Sequence, residues 1–202
     1  MQIVAATRNS GKLREISAKL QNLDIELLSL EDFPEIVMPP ETGESFKENS
    51  REKASFVCQK THLPTLADDS GICVDALSGA PGVYSARFAG KYATDEMNNR
   101  LLLEKLKDTP EKDRIARFVC VISLALPDGR VFFSEGVWKG RIATEPRGKG
   151  GFGYDPLFIS QIDGKTAAEL EPELKNSFSH RGKALDGIAK IIKGLIKEVE
   201  KE

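Results

Sequence analysis

The opening thirty residues constrain the fold more than any other stretch. Residues 2–7, Gln2-Ile3-Val4-Ala5-Ala6-Thr7, read as a short buried strand. Thr7-Arg8-Asn9-Ser10-Gly11 turns the chain, and a helix is expected from Lys12 to Gln21, with Leu13, Ile16 and Leu20 at helical spacing. A second strand is expected over about 24–30. This βαβ-like opening needs a sheet to complete it, and the remaining residues must supply that sheet.

Pro34, Pro39 and Pro40 mark a loop, after which Ser45 and Glu48 have the spacing of a capping box for a helix running to about Lys60. Leu66-Ala67-Asp68-Asp69-Ser70-Gly71-Ile72 reads as a turn between two short apolar stretches. A helix is expected over 94–107, with Thr94 as its cap and acids at 95 and 96. Arg117–Leu126 and Arg130–Ile142 are β-rich and joined by Pro127-Asp128-Gly129, which predicts a hairpin. A Gly-rich loop follows at 147–153, and the last helix is expected over about 180–199, with Leu185, Ile188, Ile192, Leu195 and Val199 on one face. Interleaved helices and strands followed by a hairpin indicate an α/β fold with a mixed central sheet flanked by helices. No repeat and no linker divides the chain, so residues 1–202 are expected to form a single domain.

Charge excludes one broad class of function. Lys plus Arg is 29 against 31 for Asp plus Glu, a balance unlike the basic surface that bulk nucleic-acid binding requires. No apolar run approaches the roughly 20 residues of a membrane span, and no basic leader opens the chain. Cys58, Cys73 and Cys120 lie far apart without metal-type spacing, as buried thiols of a reducing compartment do, so the expected location is the cytoplasm.

Local violations of helix chemistry point to candidate binding residues. Thr7, Arg8, Asn9, Ser10, Gly11 and Lys12 lie where a strand ends and a helix opens, a geometry whose unpaired N–H groups bind phosphate. Lys12 falls in the first helical turn, where the macrodipole disfavours a cation unless an anion joins it; a solvated surface lysine fits the same segment. The mismatch recurs at the last helix, where Ser179 is the expected cap and His180 and Arg181 occupy the first turn, near Lys175. Asp68 and Asp69 are adjacent carboxylates suited to holding Mg²⁺ and activating a water, although Asp-Asp-Ser-Gly is also ordinary turn composition. Glu41 follows two prolines in a stiff loop, and Asn49 and Lys53 share a helix face suited to a polyphosphate. The loop at 146–156 combines four glycines with Phe152 and Tyr154, which allows close backbone approach and stacking on a base.

Together these segments resemble the inosine triphosphate pyrophosphatase family, also called dITP/XTP pyrophosphatases. The likeness runs from Thr7 to Ala184 through TRNSGK at 7–12, ETG at 41–43, FKENSREKA at 46–54, LADDSGI at 66–72, GAPGVYSARFAG at 79–90, GFGYDP at 151–156 and KNSFSHRGKAL at 175–185, all in family order. The resemblance implies an elongated, two-lobed α/β protein with its active-site cleft between the lobes, and a homodimer. It also implies hydrolysis of ITP, dITP and XTP to the monophosphate and pyrophosphate, with Mg²⁺ as cofactor. On that resemblance Thr7, Asn9 and Lys12 cradle the triphosphate and Lys53 assists. Glu41 and Asp69 bind Mg²⁺ with Asp68 nearby, Asp69 also serving the attacking water, and Ser70 contacts substrate. Phe152 stacks on the purine, Gly153, Tyr154 and Asp155 complete that wall, and Lys175, His180 and Arg181 read the base edge.

Two other readings use the same segments. Ser179-His180-Arg181 argues against a septum-formation (Maf) type pyrophosphatase. Glu41 and Asp69 argue against a non-catalytic nucleotide sensor, which has no need of a metal-activated water.

Overall fold

The structure, a computed structural model, describes residues 1–161 and 164–199. The opening folds as its pattern predicts. Strand β1 (Gln2–Ala5) leads into α1 (Ser10–Leu20), and β2 (Glu26–Ser29) returns parallel to β1 with Gln2 opposite Glu26 and Ala5 opposite Ser29. Asn9 caps α1, its Oδ1 accepting from the Lys12 N–H at 3.0 Å. The expected capping box opens α2 (Phe46–Thr61): Ser45 Oγ accepts from the Glu48 N–H and Glu48 Oε2 accepts from the Ser45 N–H.

The segment read as a turn is instead the middle of a ten-residue strand, β3 (Thr65–Val74). Turn composition misleads here because both aspartates are buried and find partners on the two sides of the strand, so neither needs a loop to reach water. Helix α3 (Asp95–Lys105) begins behind its expected Thr94 cap, and the hairpin appears as β4 (Ile115–Ala125) and β5 (Val131–Ile142). The three-residue strand β6 (Phe158–Ser160) and the helix α4 (Pro172–Phe178) went unforeseen, both being too short to show a period. Helix α5 (His180–Val199) ends the described chain. The sheet order is β2-β1-β3-β4-β5-β6; β1 is parallel to both β2 and β3, and β5 is antiparallel to β6, so the sheet is mixed as expected.

The chain divides into two compact units. The first comprises Met1–Asp69, Cys120–Gly136 and the chain from Arg181 onward. Its strands alternate between two apolar layers. Ile3, Leu66 and Leu124 face α1 and α5, where Ile16, Leu20, Leu185, Ile188, Ile192 and Leu195 pack. Val4, Ala67 and Ala125 face the opposite way, against Ala54, Val57 and Cys58 of α2. The side chain of Val199, expected on the α5 stripe, lies outside the described residues. The second unit, Ser70–Val119 and Val137–His180, has its own core of Phe118, Trp138, Phe158, Leu102, Leu106 and Tyr154.

Candidate functional site

Successive side chains of a strand point to opposite faces, and β3 makes that rule chemically consequential. Asp68 continues the Leu66 face toward α1 and α5, whereas Asp69 continues the Ala67 face toward α2. On the first face Asp68 Oδ2 lies 3.1 Å from Lys12 Nζ, 3.2 Å from Arg181 Nε and 3.0 Å from Arg181 Nη2. Glu15, one turn beyond Lys12, accepts from Arg181 Nη1. Burial alone would raise the Asp68 carboxyl, but Lys12, Arg181 and Lys53 outweigh it and hold it far below the usual carboxylate range. Arg181 is 2% exposed, a charge that burial would make intolerable without these carboxylates.

On the other face α2 presents Asn49 and Lys53, one turn apart. Asn49 Nδ2 donates to Asp69 Oδ2 at 3.1 Å, and Lys53 Nζ lies 2.7 Å from Glu41 Oε1 and 3.3 Å from Asp69 Oδ1. Asn49 Oδ1 also accepts from the Gly43 N–H at 2.8 Å, tying the loop that carries Glu41 to the helix. A Cβ at Gly43 would stand 2.6 Å from that oxygen and 2.9 Å from Glu48 Cβ, so the close approach requires glycine. Burial raises the proton affinity of Asp69; Lys53 opposes this and Glu41 adds to it, leaving the carboxyl above its usual range.

Two carboxylates thus converge on one cationic point, which suits Mg²⁺ held by one or two side chains and completed by water and phosphate oxygens. Among the described residues no three His, Cys, Asp or Glu side chains form a metal cage. The expectation that Asp68 joins Glu41 and Asp69 around the ion meets a different arrangement, since its carboxylate is turned to Lys12 and Arg181 on the far side of the strand.

At the start of α1, Arg8, Asn9 and Ser10 are exposed, Thr7 and Lys12 are half-buried, and Gly11 is buried. Thr7 Oγ1 accepts from the Asn9 N–H at 3.1 Å, and Arg8 Nη2 reaches the Ile36 carbonyl at 3.0 Å. No acid stands in the first turn of α1. The dipole mismatch noted for Lys12 is met from the neighbouring strand, by Asp68.

The second unit gathers the residues expected at the base except Arg181, which belongs to the first unit and is bound there to Asp68 and Glu15. Phe152 is half-buried; Lys175 Nζ lies 5.1 Å from its ring centroid and 2.7 Å from Asp155 Oδ2. Asp155 Oδ2 also accepts from the Phe152 N–H at 2.9 Å. Tyr154 donates its hydroxyl to the Ser85 carbonyl at 2.8 Å, and Ser85 Oγ accepts from the Ile72 N–H at 2.9 Å. The GAPGVYSARFAG segment therefore braces Tyr154 against β3. His180, 5% exposed, stacks on Phe118 with ring centroids 4.6 Å apart. Ser70 follows Asp69 on β3 and is half-buried.

Sequence reasoning missed Glu15, whose signal was its i+3 spacing from Lys12; it gave Asp95 only a place at the start of α3 and Asn99 no role. Asn49, singled out for a phosphate, holds Asp69 and the Gly43 loop.

Comparison with known proteins bears on the family and the fold. The family model of the Ham1 family matches residues 3–191. A protein of Geobacter sulfurreducens named dITP/XTP pyrophosphatase is 53% identical over 184 residues, covering 91% of this chain and 92% of its own. One of the same name from Thermus thermophilus is 50% identical over 193 residues, covering 96% of this chain and 92% of its own. Among solved structures, a HAM1 protein from Coxiella burnetii superposes with a TM-score of 0.88 at 44% identity, covering 96% of this chain and 99% of that one. With its mixed sheet, its ordered motifs and a match over nearly its whole length, this chain belongs to the Ham1 family.

Proposed function

We propose that this protein hydrolyses deaminated purine nucleoside triphosphates, ITP, dITP and XTP, to the nucleoside monophosphate and pyrophosphate, and that residues 1–202 act as one catalytic domain. The observation that carries the chemistry is the convergence of Glu41 and Asp69 on Lys53 Nζ, with Asn49 holding Asp69 in place. The dITP/XTP pyrophosphatase name borne by its relatives supports the substrate class.

In this reading the first unit serves the phosphates. The helix start from Thr7 through Arg8, Asn9, Ser10 and Gly11 offers backbone N–H groups to them, and Lys12 and Lys53 offer charge. Glu41 and Asp69 would hold Mg²⁺, which would draw charge from the phosphate oxygens. Asp69 takes a proton from water as the water oxygen bonds to phosphorus, the anhydride bond breaks and pyrophosphate departs; Ser70 contacts the substrate. Asp68 keeps Lys12 and Arg181 in position instead of binding the ion.

The second unit serves the base. Phe152 stacks on the purine, Gly153, Tyr154 and Asp155 form the wall beside it, and Lys175 and His180 face the edge. Hypoxanthine and xanthine carry a 6-oxo acceptor where adenine carries a 6-amino donor, so cationic donors favour the former and leave adenine opposed by unpaired donors. A homodimer in the cytoplasm completes the proposal; no helix among the described residues is long and apolar enough to cross a membrane.

Incubating the protein with ITP or ATP and Mg²⁺ and measuring pyrophosphate tests the assignment. Strong release from ITP and little from ATP is expected. Equal release from both, or release of orthophosphate alone, would overturn it.

A further inference from the structure

Helix α3 carries two polar residues that the proposed chemistry does not use, and both are directed at one glycine. Asp95 Oδ2 accepts from the Gly153 N–H at 2.6 Å. Asn99, one turn further along, donates from Nδ2 to the Gly153 carbonyl at 2.9 Å. Gly153 has φ +62°, a left-handed conformation that an L side chain rarely adopts, so the backbone at this point depends on glycine and on whatever secures its amide groups. Asn99 Oδ1 is buried and has no hydrogen-bond partner among the described residues, so the donor end of its amide is the end in use.

The residue before Gly153 is Phe152. Its N–H donates to Asp155 Oδ2 at 2.9 Å, and its carbonyl accepts from the Asp155 N–H at 3.2 Å. Every backbone polar group of the Phe152-Gly153 pair is therefore engaged, one residue by Asp155 and the other by α3. An aromatic platform on a glycine-rich loop can hold one plane for a purine only if its backbone is held. Ordinary helix chemistry explains an acid in the first turn of α3, but Glu96 and the Thr94 cap already satisfy that end.

We propose that Asp95 and Asn99 are positioning residues for base recognition: by holding both amide groups of Gly153 they fix the plane of the Phe152 ring, and loss of either loosens purine binding without touching the phosphate chemistry. This rests on the reading of Phe152 as the base-stacking residue.

The test compares Asp95→Ala, Asn99→Ala, Asp95→Asn and Phe152→Ala, with KM and kcat measured for ITP. Asp95→Ala and Asn99→Ala are each expected to raise KM about fivefold or more, within the range that base–aromatic stacking contributes, with kcat within about twofold. Asp95→Asn retains an acceptor oxygen for the Gly153 N–H and is expected to stay near the parent KM. In a Phe152→Ala background the α3 substitutions should add nothing, because the platform they hold is gone. If Phe152→Ala raises KM while Asp95→Ala and Asn99→Ala leave it unchanged, or if their effects persist undiminished in the Phe152→Ala background, the positioning role is overturned and the stacking reading survives. If Phe152→Ala itself leaves KM unchanged, the stacking reading fails, and the positioning role with it.

Discussion

Asp68 and Asp69 are consecutive on β3, yet their carboxylates serve opposite faces of the strand, the first bound to Lys12 and Arg181 and the second to Asn49 and Lys53. Two residues of identical type therefore carry different work. Asp69→Asn is expected to cut turnover by about 10²–10⁴-fold, the share of a lost general base, with the melting temperature nearly unchanged. Asp68→Asn is expected to lower stability by about 3 kcal/mol, because buried Arg181 loses one of its carboxylates. Denaturant melts and pyrophosphate release on both variants check the division. Equal loss of turnover with equal stability in the two would remove it.

Lys12 shows how a pattern at a helix start can be right about strain and incomplete about its relief. A cation in the first turn of α1 is disfavoured by the dipole, but Asp68 lies 3.1 Å from its ammonium. Lys12→Ala is accordingly expected to destabilise the protein by about 1–2 kcal/mol, the worth of a hydrogen bond to a charged group, and to raise KM for any triphosphate. A variant as stable as the parent would mean that this contact contributes nothing.

The elements legible in the sequence were those with a period or a cap: α1, the Ser45–Glu48 capping box, the Thr94 cap and the apolar stripe of α5. β3 was not legible, because its central residues are charged and only partners remote in sequence allow them to be buried. The same holds within the candidate site. Lys53, Phe152 and Lys175 could be nominated from residue type and motif. The pairing of Arg181 with Asp68 and Glu15 joins residues 113 and 166 positions apart, and no local pattern encodes such a contact.

Lys53 stands between two carboxylates, and its removal leaves Glu41 and Asp69 with undiluted mutual repulsion. Lys53→Ala is expected to lower kcat/KM for ITP and ATP by similar factors, so their ratio stays near the parent value. It is also expected to lower the Mg²⁺ concentration needed for half-maximal activity, because the ion no longer competes with the ammonium for Glu41 and Asp69. Chelation of the metal should abolish turnover in parent and variant alike. A change in the ITP-to-ATP ratio would place Lys53 at the base and not at the phosphates.

Lys175 provides the complementary case. Its ammonium is bound to Asp155 and lies over the Phe152 ring, while its side chain is only 6% exposed. In the proposed reading this desolvated cation presents donors to a 6-oxo group and is mismatched with a 6-amino group. Lys175→Met preserves much of the aliphatic length and removes the charge. Its kcat/KM for ITP is expected to fall by about 1–3 kcal/mol of transition-state stabilisation, by analogy with a bidentate base contact, while ATP hydrolysis changes far less. The ITP-to-ATP ratio should therefore collapse, in contrast to Lys53→Ala. Stability is expected to drop as well, because Asp155 is buried and loses its cation, so the ratio must be taken at a temperature where both proteins are folded. If Lys175→Met, folded, keeps the parent ratio while Arg181→Ala loses it, the donor that reads the purine edge is Arg181, and Lys175 serves only to secure Asp155 beneath the Phe152 loop.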